Sequence, residues 1–403
     1  MNASLAAGAG GRNKIIGLLC GGHFYSHFSN LVLPPLFPFL KAETGLDYVA
    51  LAGLVAAPAI ATGVSQVPFG LLVDRFGGRV VLLGGLAVMG LGFALVGMAT
   101  EYWQLLVLMT LVGLGNGVFH PSDYVIMTKR IAHSHLGRAV SLHGFSGYIG
   151  WAAAPAIMLG LAELVGWRHA VSIIGLLGLV IVLIMFAFGA ALRDRDDSGP
   201  AKEQIAQPQS SRRSLRLMLS RPMLMLLGFF LLTAITTSGT ASFLVVGAME
   251  LYGADETLGN NALTAYLVAM AGGVLIGGVI ADRYGHHNLV ASVSVAVFAA
   301  GLAIFALGLA PLMVVAAAVA LGGLAFGIAT PSRDLLVRQA APPGTIGVAF
   351  GFTSTGLGLG GAAGPVICGW FMDAGAPGWA FGAMAASAAL AIITAMLTRG
   401  GPN

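Results

Sequence analysis

Histidine and aspartate side chains interrupt predominantly apolar stretches in the first half of this 403-residue sequence. His23 and His27 stand four residues apart, His120 and Asp123 stand three apart, and His143 follows further along. Imidazole titrates near neutral pH and binds divalent transition metals, so these residues suit proton transfer, solute binding or metal coordination. Only the His23–His27 pair has a fixed geometry on a helix. The sequence therefore favours a solute or proton pathway, with no metal site.

A polar stripe in the first apolar segment joins His23 and His27 to Asn30 and Pro34. Spacings of four, three and four residues place all of them on one face of a continuous helix. In lipid such a stripe must face the interior of a helix bundle or water, which predicts a polar cavity. The alternative is hydrogen bonding between packed helices.

The composition indicates that these segments lie in a membrane. Hydrophobic residues make up 57% of the chain and charged residues 9%, against about 45–50% and about 25% in soluble domains. So few charges cannot cover the surface of a soluble protein of this length. We therefore interpret the net charge of +4 as basic residues that set the orientation of the protein in the lipid bilayer, and we expect no nucleic-acid binding.

Twelve segments reach the length of about 20 residues that a spanning helix needs. We predict an all-α membrane protein, because long apolar runs without alternation are helices in lipid. The polar stretch 192–221 is interpreted as a cytoplasmic linker between six-helix halves at 1–191 and 222–403. The predicted helices cover residues 15–40, 49–73, 79–98, 103–128, 139–165, 168–191, 222–250, 260–281, 288–309, 311–335, 346–373 and 378–398.

The basic residues test this arrangement. With a cytoplasmic N-terminus, all of the 20 lysines and arginines except Lys41, Arg168 and Arg333 lie on the cytoplasmic side. This bias predicts that both termini are cytoplasmic and that the membrane is the inner membrane of the cell. We expect a monomer.

An internal repeat underlies the two halves. Residues 117–155 recur 210 positions later as 327–365, with the same order of glycine and proline residues, which is typical of a duplicated bundle. The copies differ at three polar positions, where His120, Asp123 and Tyr124 of the first correspond to Thr330, Arg333 and Asp334 of the second.

Arg333 and Asp334 are the polar residues of the second half that the sequence singles out. Asp334 is either a local partner of Arg333 or Arg338, or part of the pathway itself. Arg333 either binds an anionic group of a solute or forms a salt bridge with Asp123, its counterpart in the repeat. A buried ion without a partner costs several kcal/mol, so such a pair would bias a two-state equilibrium.

A glycine- and charge-rich signature follows the second helix and recurs in degenerate form after the eighth. Glycines permit a tight reversal, and the acid and the arginine can pair as a cytoplasmic face closes. An ordinary positive-inside turn explains the arginines but not an aspartate in both copies, so we expect a gating role. The signature residues are Gly70, Asp74, Arg75, Gly77 and Arg79, and then Gly278, Asp282, Arg283 and Gly285.

Twelve helices in two halves, a long central loop and the pattern G-x-L-x-D-R-x-G-x-R at 70–79 resemble the major facilitator superfamily. The resemblance implies alternating access, in which two halves rock about a solute site near the middle of the bilayer, lined by helices 1, 4, 7 and 10. Residues 118–121, Val-Phe-His-Pro, with Asp123 and the histidines of helix 1, resemble the fosmidomycin-resistance type of efflux protein.

With this resemblance, the sequence predicts a secondary active transporter of a small organic solute with protons as the coupling ion. The resemblance implies export as the direction. The alternatives are proton-coupled uptake of an organic anion such as a carboxylate, with Arg333 as its anchor, and transport of a divalent metal. No nucleophile–base motif or nucleotide-binding loop appears, so we expect no enzyme activity, no ATP drive and no cofactor.

Overall fold

The computed structural model of the chain describes residues 9–192, 218–341 and 346–398. All regular structure within these ranges is helical. Of the predicted linker 192–221, residues 193–217 lie outside the described residues. The helices before that gap are α1 (Ala9–Ser29), α2 (Phe37–Thr44), α3 (Tyr48–Phe76), α4 (Gly78–Val96), α5 (Tyr102–Asn116), α6 (Phe119–Arg130), α7 (His133–Val165) and α8 (Trp167–Ala187). Those after it are α9 (Arg221–Tyr252), α10 (Glu256–Arg283), α11 (His287–Leu307), α12 (Leu312–Ala340), α13 (Ile346–Asp373) and α14 (Pro377–Leu397).

The predicted all-α fold of twelve membrane helices is confirmed, with α1 and α2 together forming the first and α5 and α6 together forming the fourth. Among the described residues, ten helices are long and apolar enough to cross a membrane, counting α5 and α6 as one. The helices α1 and α13 fall outside that group. Their sequences explain why, since α1 carries Arg12, Lys14 and the histidines, and α13 is rich in glycine, serine and threonine.

The first predicted helix, 15–40, is wrong as a continuous helix. Helix α1 ends at Ser29, a 3₁₀ turn covers Pro34–Leu36, and α2 begins at Phe37. Two consecutive prolines contribute to the break, because proline lacks the N–H that would bond to the carbonyl four residues earlier in a continuous helix. The predicted stripe therefore holds for His23 and His27 but not for Asn30 and Pro34.

The fourth predicted helix, 103–128, is interrupted by a short turn at residues 117 and 118. Pro121 contributes to this break, since it has no N–H to donate to the carbonyl of Gly117. Its counterpart Pro331 nevertheless lies inside the unbroken α12, so proline alone does not account for the interruption. The turn falls directly before His120 and Asp123.

The described chain divides into two compact units. The first contains residues 9–46 and 53–192, and the second contains 47–52, 218–341 and 346–398. In the first unit α1 packs along α7, and α4 packs against α5 and α8. In the second, α9 packs along α13, and α12 contacts α10 and α11. Close helix packing by small residues is typical of membrane bundles.

Candidate functional site

Four imidazole rings and one carboxylate form a cluster inside the first unit, here called the histidine cluster: His23, His27, His120, Asp123 and His143. Helix α1 supplies the first two, α6 supplies the next two, and α7 supplies His143. The ring centroid of His23 lies 3.7 Å from that of His143, 4.4 Å from that of His27 and 5.8 Å from that of His120. The structure therefore brings together all the candidate residues that the sequence placed on these helices, apart from Asn30.

A buried contact between an imidazole and a carboxyl group anchors this cluster. The Nε2 atom of His143 lies 2.8 Å from Oδ2 of Asp123, and their side chains are only 4% and 1% exposed. The other carboxylate oxygen of Asp123 and the nearby hydroxyl of Ser122 are buried, without a partner among the described residues. A buried carboxylate with spare acceptor capacity is costly unless something else binds it, so this position is a candidate for binding a solute or a proton.

The hydrogen bond of His23 fixes its tautomer. Its Nδ1 lies 2.8 Å from the backbone carbonyl oxygen of His143. A carbonyl only accepts, so Nδ1 carries the hydrogen and donates it, and in the neutral ring Nε2 then holds a lone pair. This Nε2 is buried and has no partner within the described part of the chain. The ring therefore offers an acceptor or ligand atom to the interior of the cluster.

Gly147 allows α1 and α7 to approach at this point. A Cβ on Gly147 would lie 2.8 Å from Cε1 of His23 and 2.9 Å from Cγ of His27, closer than packed carbon atoms tolerate. Three residues along α7, Gly150 similarly leaves no room for a Cβ beside the backbone of Phe24. The small residues at these positions thus explain how two imidazoles of one helix lie against the other.

We predict that Gly147→Ala destabilises the protein by about 1–3 kcal/mol, the usual effect of overpacking a filled interior. The added methyl group must displace the rings of His23 and His27, so any activity of the cluster falls with it. Gly144→Ala is the matched control, because Gly144 lies on the same helix and a Cβ there would have no neighbouring atom within 4 Å. Thermal unfolding of the purified variants in detergent measures the difference, and equal melting temperatures would contradict this account of the packing.

Several polar neighbours of the cluster were missed by sequence reasoning. The hydroxyl of Ser26 donates to Oδ1 of Asn116, whose Nδ2 in turn donates to Oδ1 of Asn30 at 3.2 Å. Asn30 is exposed beyond the end of α1, and this bond is how it joins the first unit. The indole of Trp151 lies 4.6 Å from the ring of His27. The sequence did contain one signal for this polar network. Asn116 stands between two glycines in an apolar helix, where an asparagine usually hydrogen-bonds to a polar group on a neighbouring helix.

Arg333 of the second unit is held from two sides. Its Nε and Nη2 atoms each lie 2.9 Å from Oδ1 of Asp334, and its guanidinium carbon lies 4.5 Å from the ring centre of Phe230. The side chain of Arg333 is 14% exposed and that of Asp334 is 43% exposed. The local partnership expected for Asp334 is therefore present. A guanidinium stacked on an aromatic ring is oriented in advance for a planar anion.

The two signature turns differ in conformation. Gly77, between α3 and α4, has a φ of +87°, in the region that favours glycine, so the predicted tight reversal is present there. Gly285 is absent from the glycines with positive φ among the described residues, and α10 ends through an extended Tyr284 instead. Arg79 donates from Nη2 to the carbonyl of Phe186 at 3.4 Å, which links the first turn to the end of α8. Asp74 and Asp282 are exposed.

The comparison with known families decides the identity of the fold. The sequence model of the Major Facilitator Superfamily matches residues 19–253 and 231–403, nearly the whole chain. This chain belongs to the Major Facilitator Superfamily. Together with the ten long apolar helices among the described residues, this membership makes the chain a multi-pass membrane protein.

Curated relatives and solved structures agree with this Major Facilitator Superfamily assignment. The fosmidomycin resistance protein of Escherichia coli (strain K12) is 22% identical over 277 residues, covering 68% of this chain and 67% of that protein. A probable L-galactonate transporter of the same organism is 26% identical over 144 residues, 36% of this chain. The match spans only 32% of that relative's length. A bacterial homologue of the human lysosomal transporter Spinster has a TM-score of 0.78 at 14% identity, covering 97% of both chains, which supports the fold alone.

Proposed function

We propose that this protein exports a small organic solute in exchange for protons, and that the histidine cluster lies on the pathway of the solute or the proton. The buried contact between the ionisable groups of Asp123 and His143 carries this proposal. Ionisable groups at membrane depth are costly, and in transporters they mark substrate and ion pathways. Export as the direction is supported by the similarity to a fosmidomycin resistance protein.

A proton gradient is proposed as the energy source. The sequence has no phosphate-binding loop of the form G-x-x-x-x-G-K-[ST], so ATP is not expected to drive the cycle. The excess of basic residues on one side supports an inner-membrane protein with both termini in the cytoplasm. We also propose that the monomer is the transporting unit, since the superfamily fold places the solute site within one chain.

The second candidate function is uptake of an organic anion. The observation that favours it is Arg333, whose guanidinium lies over Phe230 and beside the half-exposed carboxylate of Asp334. An incoming carboxylate would replace or share the contacts of Asp334. Arginine and a carboxylate pair in a planar, two-point geometry, which gives this position selectivity for anions.

The turn between α3 and α4 is proposed as a gate, together with its counterpart after α10. We predict that Asp74→Ala lowers the turnover of transport several-fold while leaving the apparent KM nearly unchanged, because Asp74 is exposed and outside the histidine cluster. Asp74→Glu keeps the carboxylate and should restore most of the rate. Initial rates in proteoliposomes measure both variants. An Asp74→Ala protein that turns over at the wild-type rate would refute the gating role.

Proton exchange is tested with purified protein in liposomes that contain a pH-sensitive dye. Solutes from a panel of carboxylates, phosphonates and neutral drugs are added on one side, and the internal pH is recorded. At least one solute should produce a proton flux above that of protein-free liposomes. Solute uptake that is measurable by radiolabel yet moves no protons would refute proton coupling. Solute that enters in exchange for protons raises the internal pH, whereas solute that enters together with protons lowers it, so the sign of the pH change distinguishes the two mechanisms.

A further inference from the structure

The three histidines of the cluster other than His143 have the geometry of a metal site. One nitrogen from each of His23, His27 and His120 lies within 4.8 Å of the other two. We propose that these three imidazoles bind a single divalent transition-metal ion of the kind that prefers nitrogen ligands, such as zinc, nickel or cobalt. Two of the ligands stand one helical turn apart on α1, and the third comes from α6.

The protonation pattern of His23 suits a metal ligand. In metal sites a ligating imidazole usually donates its other N–H to a carbonyl or carboxylate, which orients the ring and raises the basicity of the ligating nitrogen. His23 makes this arrangement without a metal, since its Nδ1 donates to the carbonyl of His143 at 2.8 Å. Its Nε2 is left buried, with no partner among the described residues.

His27 contributes a second uncommitted nitrogen. Its Nδ1 is buried and lacks a hydrogen-bond partner in the described chain. Two buried imidazole nitrogens without partners, on rings whose centroids are 4.4 Å apart, are hard to explain as packing alone, because buried polar atoms are nearly always satisfied. A shared cation would satisfy both at once.

The ligand nitrogens lie within 4.8 Å of one another and must come closer together to share one ion, which side-chain rotation allows. Three nitrogens that share one ion at about 2.1 Å lie about 3.4 Å apart in tetrahedral geometry. His120 is exposed, so its ring can turn towards the other two without disturbing packed neighbours. Three protein ligands leave at least one coordination position open, as in sites that bind water or a substrate.

The surroundings of the three histidines favour a cation. His143 stacks on His23 at 3.7 Å, and its Nε2 lies 2.8 Å from Oδ2 of Asp123, which places an acidic group close to the ligands. An ionised carboxylate there would attract a cation. No basic side chain appears in the ring and hydrogen-bond contacts of this cluster among the described residues.

Metal binding by the full-length protein tests this proposal. The protein is purified in detergent with an affinity tag that contains no histidine, then titrated with Zn²⁺, Ni²⁺ and Co²⁺ separately in a non-chelating buffer. We expect one ion per chain for at least one metal. We also expect the visible absorption bands of imidazole-bound Co²⁺, and an affinity at least tenfold lower in His120→Asn and in His23→Asn. His120 is exposed, so its variant should fold even if that of His23 does not.

His169→Asn is the matched control, because His169 is exposed on α8 and its Nδ1 lies 3.0 Å from the carbonyl oxygen of Val165, the last residue of α7. It should bind the metal like the wild type. Wild-type protein that shows no saturable binding, or binding that His120→Asn leaves unchanged, would overturn the proposal. Transport by metal-free protein would leave the export proposal standing, so the two proposals fail separately.

Discussion

Asp123→Asn should reduce solute transport at least a hundredfold while the protein remains folded. Asparagine has nearly the same shape and keeps an oxygen that can accept from Nε2 of His143, so the hydrogen bond at 2.8 Å can persist. What the change removes is the ability of this side chain to ionise, in a site that is 1% exposed. If the pathway depends on that ionisable group, activity is lost without loss of structure. Initial rates and thermal unfolding are measured on the same preparations.

Asp123→Ala is expected to behave differently from Asp123→Asn. It leaves His143 with a buried nitrogen that has lost its partner, and an unsatisfied buried group of this kind costs about 1–3 kcal/mol. Glu163→Gln is the control, because Glu163 is an exposed carboxylate on α7. It should retain both rate and stability. Full transport by Asp123→Asn would remove Asp123 from the pathway and reduce its contact with His143 to a packing feature.

Arg333→Gln should raise the KM for an anionic solute about tenfold to a hundredfold while changing that for the corresponding neutral amide little. A hydrogen bond to a charged group contributes about 1.5–3 kcal/mol, and each 1.4 kcal/mol corresponds to a factor of ten. Glutamine keeps part of the contact with Asp334 but removes the guanidinium over Phe230 at 4.5 Å. Competition by a carboxylate and its amide in the transport assay measures this discrimination.

Arg338→Gln is the matched control for Arg333, since Arg338 is exposed near the end of the same helix. It should change neither KM. If Arg333→Gln and Arg338→Gln raised the KM for the anionic solute equally, the cause would be the positive charge of this region and not a direct contact between Arg333 and the solute. An unchanged ratio of carboxylate to amide KM in Arg333→Gln would rule out Arg333 as the anchor of the second candidate function.

The fold could be predicted from the sequence because its signals are long and redundant. Twelve apolar segments, one basic face and a repeat of residues 117–155 at 327–365 all point to the same architecture. The errors lie where local chemistry overrides the apolar pattern. The prolines at 34 and 35 end the first helix, and a turn at 117–118 divides the fourth.

The membership of the histidine cluster was largely predictable, but its geometry was not. Histidines and an aspartate in apolar helices must face a polar interior, whatever the details of packing. Which nitrogen meets which carbonyl depends on how closely α1 approaches α7, and that distance is set by Gly147. The sequence contains 59 glycines, and nothing in it distinguishes Gly147 from the others. The pairing of His143 with Asp123 likewise depends on the relative rotation of α6 and α7.

The central claim is that the histidine cluster lies on the transport pathway, and binding of the solute there is tested most directly by ligand-induced thermal stabilisation. Wild-type protein is screened against carboxylates, phosphonates and neutral drugs, and each solute that raises the melting temperature is then tested on Asp123→Asn and Glu163→Gln. A ligand at a hundred times its Kd stabilises the folded state by about 2.7 kcal/mol. The account predicts that Glu163→Gln retains this shift and that Asp123→Asn loses it. An equal shift in both variants would contradict it.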